Sequence, residues 1–313
     1  MIQQNIYSPD QGTQKNPGNS AFVSKLDPAL KQLGSSMKQR SETRKGASRP
    51  IALSSKVTSH FGTWNVRTMF QGGKSTTIAN EMSNYKLTIL GVSETRWTQS
   101  GQIRLLSGHT VIYSGHQAED APHTEGVAVF MDKEAHKAMI SWEPVSPRII
   151  TAKFRTSSKN IDLFVVQCYA PTNDADDVTK QDFYNLLQAV LDTAKQKDLV
   201  ILMGDFNAKV GEDNKGYETI MGQQGLGCMN ENGELFAMSN DLVIAGTIFP
   251  HRRKHKVTWV SPDGVTENQI DHVCTSRKFR RSLQDVRVKR GADAASDHHL
   301  LVGKVQMKLR KFT

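Results

Sequence analysis

The residues of this sequence that could do chemistry sit at the ends of its apolar runs. Asn65 closes Thr63-Trp64-Asn65-Val66-Arg67, Glu94 follows the run at 87–92, and Tyr169 closes another run. Gly204-Asp205-Phe206-Asn207 follows the run at 199–203, Asp271 lies in Gln269-Ile270-Asp271-His272-Val273, and Asp297-His298 opens the last run. Hard oxygen ligands with few histidines select Mg²⁺ or Mn²⁺ over zinc. An Asp paired with a His fixes the tautomer of the imidazole and supports its charge. Such a set could activate a water and neutralise developing negative oxygens, which is what hydrolysis of a phosphodiester requires. Alone, each piece has an ordinary reading: Asp205 and Asn207 suit a turn, and Glu94 suits a solvated cap. Asp271 resists one, because a carboxylate inside an apolar strand is costly without a partner. The ordered set is more specific than its members, since strand ends on one rim are where a rigid scaffold places catalytic groups.

The elements that must position these groups can be read from periodicity. Apolar or alternating runs predict strands at 60–66, 87–92, 111–113, 126–131, 148–154, 161–169, 199–203, 242–245, 256–260, 269–275, 283–289 and 300–306. A helix to about Asn84, capped by Ser75, follows the first strand. The clearest helix spans 179–195, with Phe183, Leu186, Leu187, Val190 and Leu191 at helical spacing, and a short one covers 233–240. Many strands, few helices and short connections fit two packed sheets with helices outside. Strand side chains alternate, so His299 should face away from His298, which leaves His298 as the candidate.

The chain has 313 residues, 37% of them hydrophobic, which is enough for one large core. No apolar run approaches the ~20 residues of a membrane helix, and no apolar stretch follows a basic start as in a secretory signal. Cys168, Cys228 and Cys274 are odd in number and show no C-x-x-C spacing. They read as buried, reduced thiols of a reducing compartment. The net charge of +9 favours polyanionic partners. Residues 1–56 hold nine Lys/Arg against three Asp/Glu, and residues 277–313 hold eleven against three, so the centre is acidic. Residues 1–56 also lack apolar periodicity and are expected to be a disordered basic arm, ahead of a folded domain at 57–308 and a short basic tail at 309–313. Gly72-Gly73-Lys74-Ser75-Thr76 looks like part of a P-loop, but Thr68 stands where the upstream glycine belongs, so it reads as a helix-start turn. In the run His251-Arg252-Arg253-Lys254-His255-Lys256, the charges of Arg252, Arg253 and Lys254 are expected to grip phosphates beside the cleft.

The ordered set, over roughly residues 59–306, resembles the endonuclease/exonuclease/phosphatase superfamily of exonuclease III and abasic endonucleases. Glu94-Thr95-Arg96-Trp97, Gly204-Asp205-Phe206-Asn207-Ala208-Lys209-Val210-Gly211 and Thr258-Trp259 resemble more narrowly the RTE-type non-LTR retrotransposon endonuclease domains and the craniofacial-development-protein-like genes derived from them. The resemblance implies a four-layer, DNase I-like α/β sandwich and Mg²⁺- or Mn²⁺-dependent hydrolysis. Glu94 would be the main metal ligand, with Asn65 beside it and Asp297 near the metal or nucleophile. Asp205 would deprotonate the attacking water, and Asn207 would bond the phosphate or Asp205. Tyr169 would donate to a phosphate oxygen, His298 would contact the phosphoryl oxygens, and Asp271 would buttress His298. Thr258 would touch the DNA backbone. The expected reaction is nicking of DNA to 3′-hydroxyl and 5′-phosphate ends, with DNA as partner, no membrane association and a nuclear location. The alternatives are a phosphatase of phosphoinositides or other small phosphoesters, and an inactive nucleic-acid-binding protein. Repair enzymes of the superfamily usually carry Asp where this chain has Arg67 and Gln where it has Ser93, which counts against abasic-site repair.

Overall fold

The computed structural model describes residues 53–54, 57–239 and 241–308. The expected arm and tail lie outside the described residues, except that Leu53 bridges Thr156 and packs against the core.

Two mixed sheets form the centre. The first has seven strands. These are β1 (Ser59–Asn65), β2 (Ile89–Ser93), β3 (Ser100–Arg104), β4 (Thr110–Ser114), β5 (Val127–Met131), β14 (Leu283–Lys289) and β15 (Leu300–Val305), in the order β14-β15-β1-β2-β5-β4-β3. The second has six. These are β6 (Met139–Ser146), β7 (Ile149–Arg155), β8 (Asp162–Tyr169), β9 (Leu199–Asp205), β10 (Leu242–Ile244) and β13 (Asp271–Ser276), in the order β10-β13-β9-β8-β7-β6. A two-stranded ribbon, β11 (Trp259–Val260) with β12 (Glu267–Asn268), stands apart. Within the two large sheets only β1–β2 and β8–β9 pair in parallel. The helices are α1 (Lys74–Asn84), α2 (Lys133–Ala138), α3 (Asp177–Asp192) and α4 (Glu231–Ser239).

The period of two in each strand builds three packed interiors from one sequence. In β5, Val127, Val129 and Met131 meet the second sheet, while Ala128 and Phe130 face outward beneath Ile78 and Met82 of α1. In β8, Leu163 and Val165 face the first sheet, while Phe164, Val166 and Cys168 pack under Phe183 and Leu187 of α3 and Phe236 of α4. Central strands covered on both sides are therefore apolar throughout, and each fully buried large side chain contributes about 1.5–3 kcal/mol. The expected four-layer α/β sandwich is the architecture found.

The apolar layer between the sheets contains one polar knot. Gln167 Nε2 donates to Ser93 Oγ at 2.9 Å, and Thr63 Oγ1 donates to Gln167 Oε1 at 3.3 Å. Ser93 Oγ in turn donates to the Cys168 carbonyl at 2.9 Å. Ser93 and Cys168 directly precede Glu94 and Tyr169, so the knot ties the two sheets together beneath those residues.

Three expectations need correction. Helix α1 begins at Lys74 behind left-handed Gly73, whose backbone makes the turn, so Ser75 is not the cap. Cys228 is exposed, whereas Cys168 and Cys274 are buried. Strands β3 and β6 and helix α2 were not anticipated; both strands are sheet edges whose half-exposed faces lack apolar alternation.

Gly204, one residue before Asp205, tests how tightly this rim is built. A Cβ there would lie 2.2 Å from the Cys168 carbonyl oxygen on the parallel neighbour β8. Backbone cannot yield as a flexible side chain does, so Gly204→Ala is expected to cost about 3 kcal/mol, read as a lower urea midpoint at unchanged m-value. A midpoint within about 0.5 kcal/mol of wild type, the range of ordinary surface substitutions, would contradict this contact.

Candidate active site

Five strand ends bring their terminal residues to one rim, around a cleft of about 400 Å³. Asn65 ends β1, Glu94 follows β2, Tyr169 ends β8, Asp205 ends β9, and Asp271 opens β13 directly beside Asp205 in register. The loop before β15 adds Asp297 and His298.

Asn65 joins the two sheets at this rim. Its Nδ2 donates to Glu94 Oε1 at 2.8 Å and to Asp205 Oδ2 at 2.9 Å. Its Oδ1 accepts from the Arg67 N–H at 2.9 Å, which sets the orientation of the amide, since a flip would oppose two donors. The carboxamide oxygen thus faces the Arg67 N–H, while the amide nitrogen draws the two carboxylates together.

Glu94 holds a left-handed backbone, with φ 54°. Tyr169 Oη donates to Glu94 Oε1 at 2.9 Å. Burial, with the charges of Glu94 and Asp205, raises the Tyr169 phenol above its usual range and keeps it a donor. Arg96 approaches Glu94 Oε2 at 3.6 Å, and the Arg148 guanidinium lies 5.2 Å from the Tyr169 ring centroid.

Beside them lies an Asp–His–Asp cluster. His298 Nδ1 is 2.9 Å from Asp271 Oδ2, and His298 Nε2 is 3.7 Å from Asp205 Oδ2. Burial pulls the imidazole pKa down, but the Asp271 and Asp205 charges outweigh it and hold it up at about 9. Burial and the Asp271 charge push Asp205 up to about 7, against the pull of His298, Asn65 Nδ2 and the Asn207 N–H. Asp205, Asp271 and His298 lie close enough to ligate an ion together. Both ring nitrogens already face carboxylates, however, so an imidazolium fills that centre. Glu94 and Asp297 fit a hard divalent ion better: both line the cleft, and buried Asp297 Oδ1 has no hydrogen-bond partner among the described residues. Asp297 Oδ2 accepts from Trp259 Nε1 at 3.2 Å, and Arg67 lies 3.8 Å from Oδ1.

The other expected residues divide. Asn207 lines the cleft, with its N–H donating to Asp205 Oδ1 at 3.0 Å and its Nδ2 to the Ala170 carbonyl. Thr258 is 0% exposed, and its hydroxyl accepts the Ile270 and Asp271 N–H groups. Arg252, Arg253 and Lys254 are exposed but do not line the cleft, and Arg253 is paired to Glu267 at 2.9 Å. Sequence reasoning missed the wall formed by Thr172, Asn173, Lys209 and Asn230. Its one readable signal was Asn230 ahead of α4, where Oδ1 accepts the Gly233 N–H as an N-cap does.

A two-sheet sandwich with acidic, amide and imidazole groups converging on one rim defines a DNase I-like α/β protein. The chain belongs to the Endonuclease/Exonuclease/phosphatase family, whose pattern matches residues 62–298. It is 36% identical over 252 residues to craniofacial development protein 2 of Bos taurus, covering 80% of this chain and 41% of that protein, so it spans about two fifths of that relative's length. The catalytic domain of Xenopus laevis APE2 shares its fold with a TM-score of 0.59 at 16% identity, covering 80% of this chain and 94% of that one. The endonuclease domain of TRAS1, a telomere-specific non-LTR retrotransposon, does so with a TM-score of 0.56 at 15% identity, covering 80% and 99%. No helix among the described residues is long and apolar enough to cross a membrane.

Proposed function

We propose that the chain hydrolyses DNA phosphodiesters with Mg²⁺ or Mn²⁺, nicking one strand to leave 3′-hydroxyl and 5′-phosphate ends. The observation that carries this reading is the pair of bonds from Asn65 Nδ2, which bring Glu94 and Asp205 to one point beside His298. A cation held by Glu94 and Asp297 would supply counter-charge for the phosphoryl oxygens. Asp205, raised to about 7, takes a proton from water near neutral pH. His298 keeps its proton and meets the negative oxygens with a charged N–H, while Asp271 fixes its orientation. Asn207 holds Asp205 Oδ1 through its backbone, and Tyr169 holds Glu94. Likeness to the TRAS1 domain and the RTE-like motifs support a retrotransposon origin, and a DNA substrate supports a nuclear location.

The test is supercoiled plasmid with Mg²⁺, set beside free inositol phosphates. Open circles religatable by DNA ligase are expected, with no release of inorganic phosphate from the small esters. Phosphate release with intact plasmid would instead identify a small-ester phosphatase. Plasmid binding without turnover of either substrate would identify an inactive binding protein.

A further inference from the structure

One wall of the cleft is held more rigidly than its surface position requires. Asn230 Oδ1 accepts the Lys209 and Gly233 N–H groups, both at 2.8 Å, and its Nδ2 donates to the Asn207 carbonyl at 3.1 Å. Fully buried Asn232 donates through Nδ2 to the Pro171 carbonyl at 2.9 Å and to the Asn207 carbonyl at 3.4 Å. Buried Lys180 donates to the Asn173 carbonyl at 3.2 Å and pairs with Glu231 at 2.8 Å. Gly233 has no room for a side chain, since a Cβ would lie 1.9 Å from the Lys209 carbonyl oxygen. These hydrogen bonds and the close Gly233 approach fix backbone position, and here they fix it at Lys209.

Lys209 lines the cleft on that fixed backbone. Among the described residues no carboxylate or carbonyl takes its ammonium group. Lys180 beneath the wall is engaged on Glu231, and Arg67, the other Lys or Arg lining the cleft, lies 3.8 Å from Asp297. An unpaired cation on a rigid wall of this largely polar cleft is suited to an anion. The scissile phosphate belongs to the His298 side, where the Asp–His–Asp cluster lies.

The geometry points to Lys209 as a subsite for a phosphate beyond the scissile one, and so to a polymer of phosphodiesters as the substrate. This rests on the phosphodiesterase reading of the cleft and adds a specificity-determining residue to it. A small ester with a single phosphate has no second one to place there, whereas a nucleic acid strand carries one at every link.

Two measurements on the full chain test it. In EDTA, the affinity of wild type and Lys209→Gln for a labelled DNA duplex is followed across salt. The variant should bind about tenfold more weakly, and its salt slope should fall by about one counterion. With Mg²⁺, the loss of kcat/KM on the duplex should exceed that on bis(4-nitrophenyl) phosphate about fivefold or more, carried by KM, since uniform binding is what is lost. Lys209→Arg should restore the slope. An unchanged slope, or equal losses on both substrates, overturns the Lys209 subsite. If wild type turns over neither substrate, the phosphodiesterase reading fails, while the salt slope still decides whether Lys209 holds a phosphate.

Discussion

Glu94→Ala should lower plasmid nicking on the order of 10³-fold, the scale of losing one key preorganised electrostatic group. The carboxylate is built for one direction. Left-handed backbone at a non-glycine residue costs roughly 1–2 kcal/mol, and it is held here by the Thr95 and Arg96 N–H bonds to Gly126 and Glu125. Asn65 and Tyr169 both bond Oε1, which holds the carboxylate in place, and Arg96 lies 3.6 Å from its other oxygen. Glu94 is partly exposed and belongs to no hydrophobic cluster, so the variant should keep its fold and its urea midpoint. EDTA should abolish nicking in wild type, and Mg²⁺ or Mn²⁺ should restore it. Nicking that persists in EDTA, or a Glu94→Ala loss below about tenfold, would defeat the metal-assisted reading.

The pH profile should be a bell, and Asp271→Asn should move both of its limbs. Activity needs Asp205 ionised, so it rises with pH through about 7. It also needs His298 protonated, so it falls as pH passes about 9. The Asp271 charge raises both groups. Removing that charge therefore shifts the acid limb and the alkaline limb to lower pH together. The plateau should drop on the order of 10²-fold, because a neutral amide in place of the Asp271 carboxylate no longer fixes and charges the imidazole. A bound cation pulls the acid limb down as well, so wild type and variant are compared at one Mg²⁺ concentration. Limbs that stay in place would remove Asp271 from the catalytic cluster.

Much of the rim was legible because the central strands are covered on both faces. Runs such as Leu199–Asp205 and Asp162–Tyr169 are apolar almost without interruption, so the first polar residue at each end marks the rim. That reasoning found Asn65, Glu94, Tyr169, Asp205, Asp271 and His298 from the sequence alone. Long-range side-chain pairing was not legible. The orientation of the Asn65 amide is set by a backbone donor two residues on, and the burial of Thr258 by two amides more than ten residues away. Arg253 meets Glu267 only because a two-stranded ribbon folds back, and Asn230 reaches Asn207 only through the loop ahead of α4. Edge strands β3 and β6 escaped because half of each faces solvent and leaves no periodic signature.

The polar knot among Thr63, Ser93, Gln167 and the Cys168 carbonyl also governs how the chain can assemble. A slip of one sheet past the other would leave these groups facing hydrocarbon, at about 1–3 kcal/mol for each one unmet. Neighbouring alignments of two greasy faces would otherwise be nearly equal in energy. Folding is thereby steered to a single docked arrangement, and the same choice that rejects misaligned halves delivers the two acidic groups to one amide.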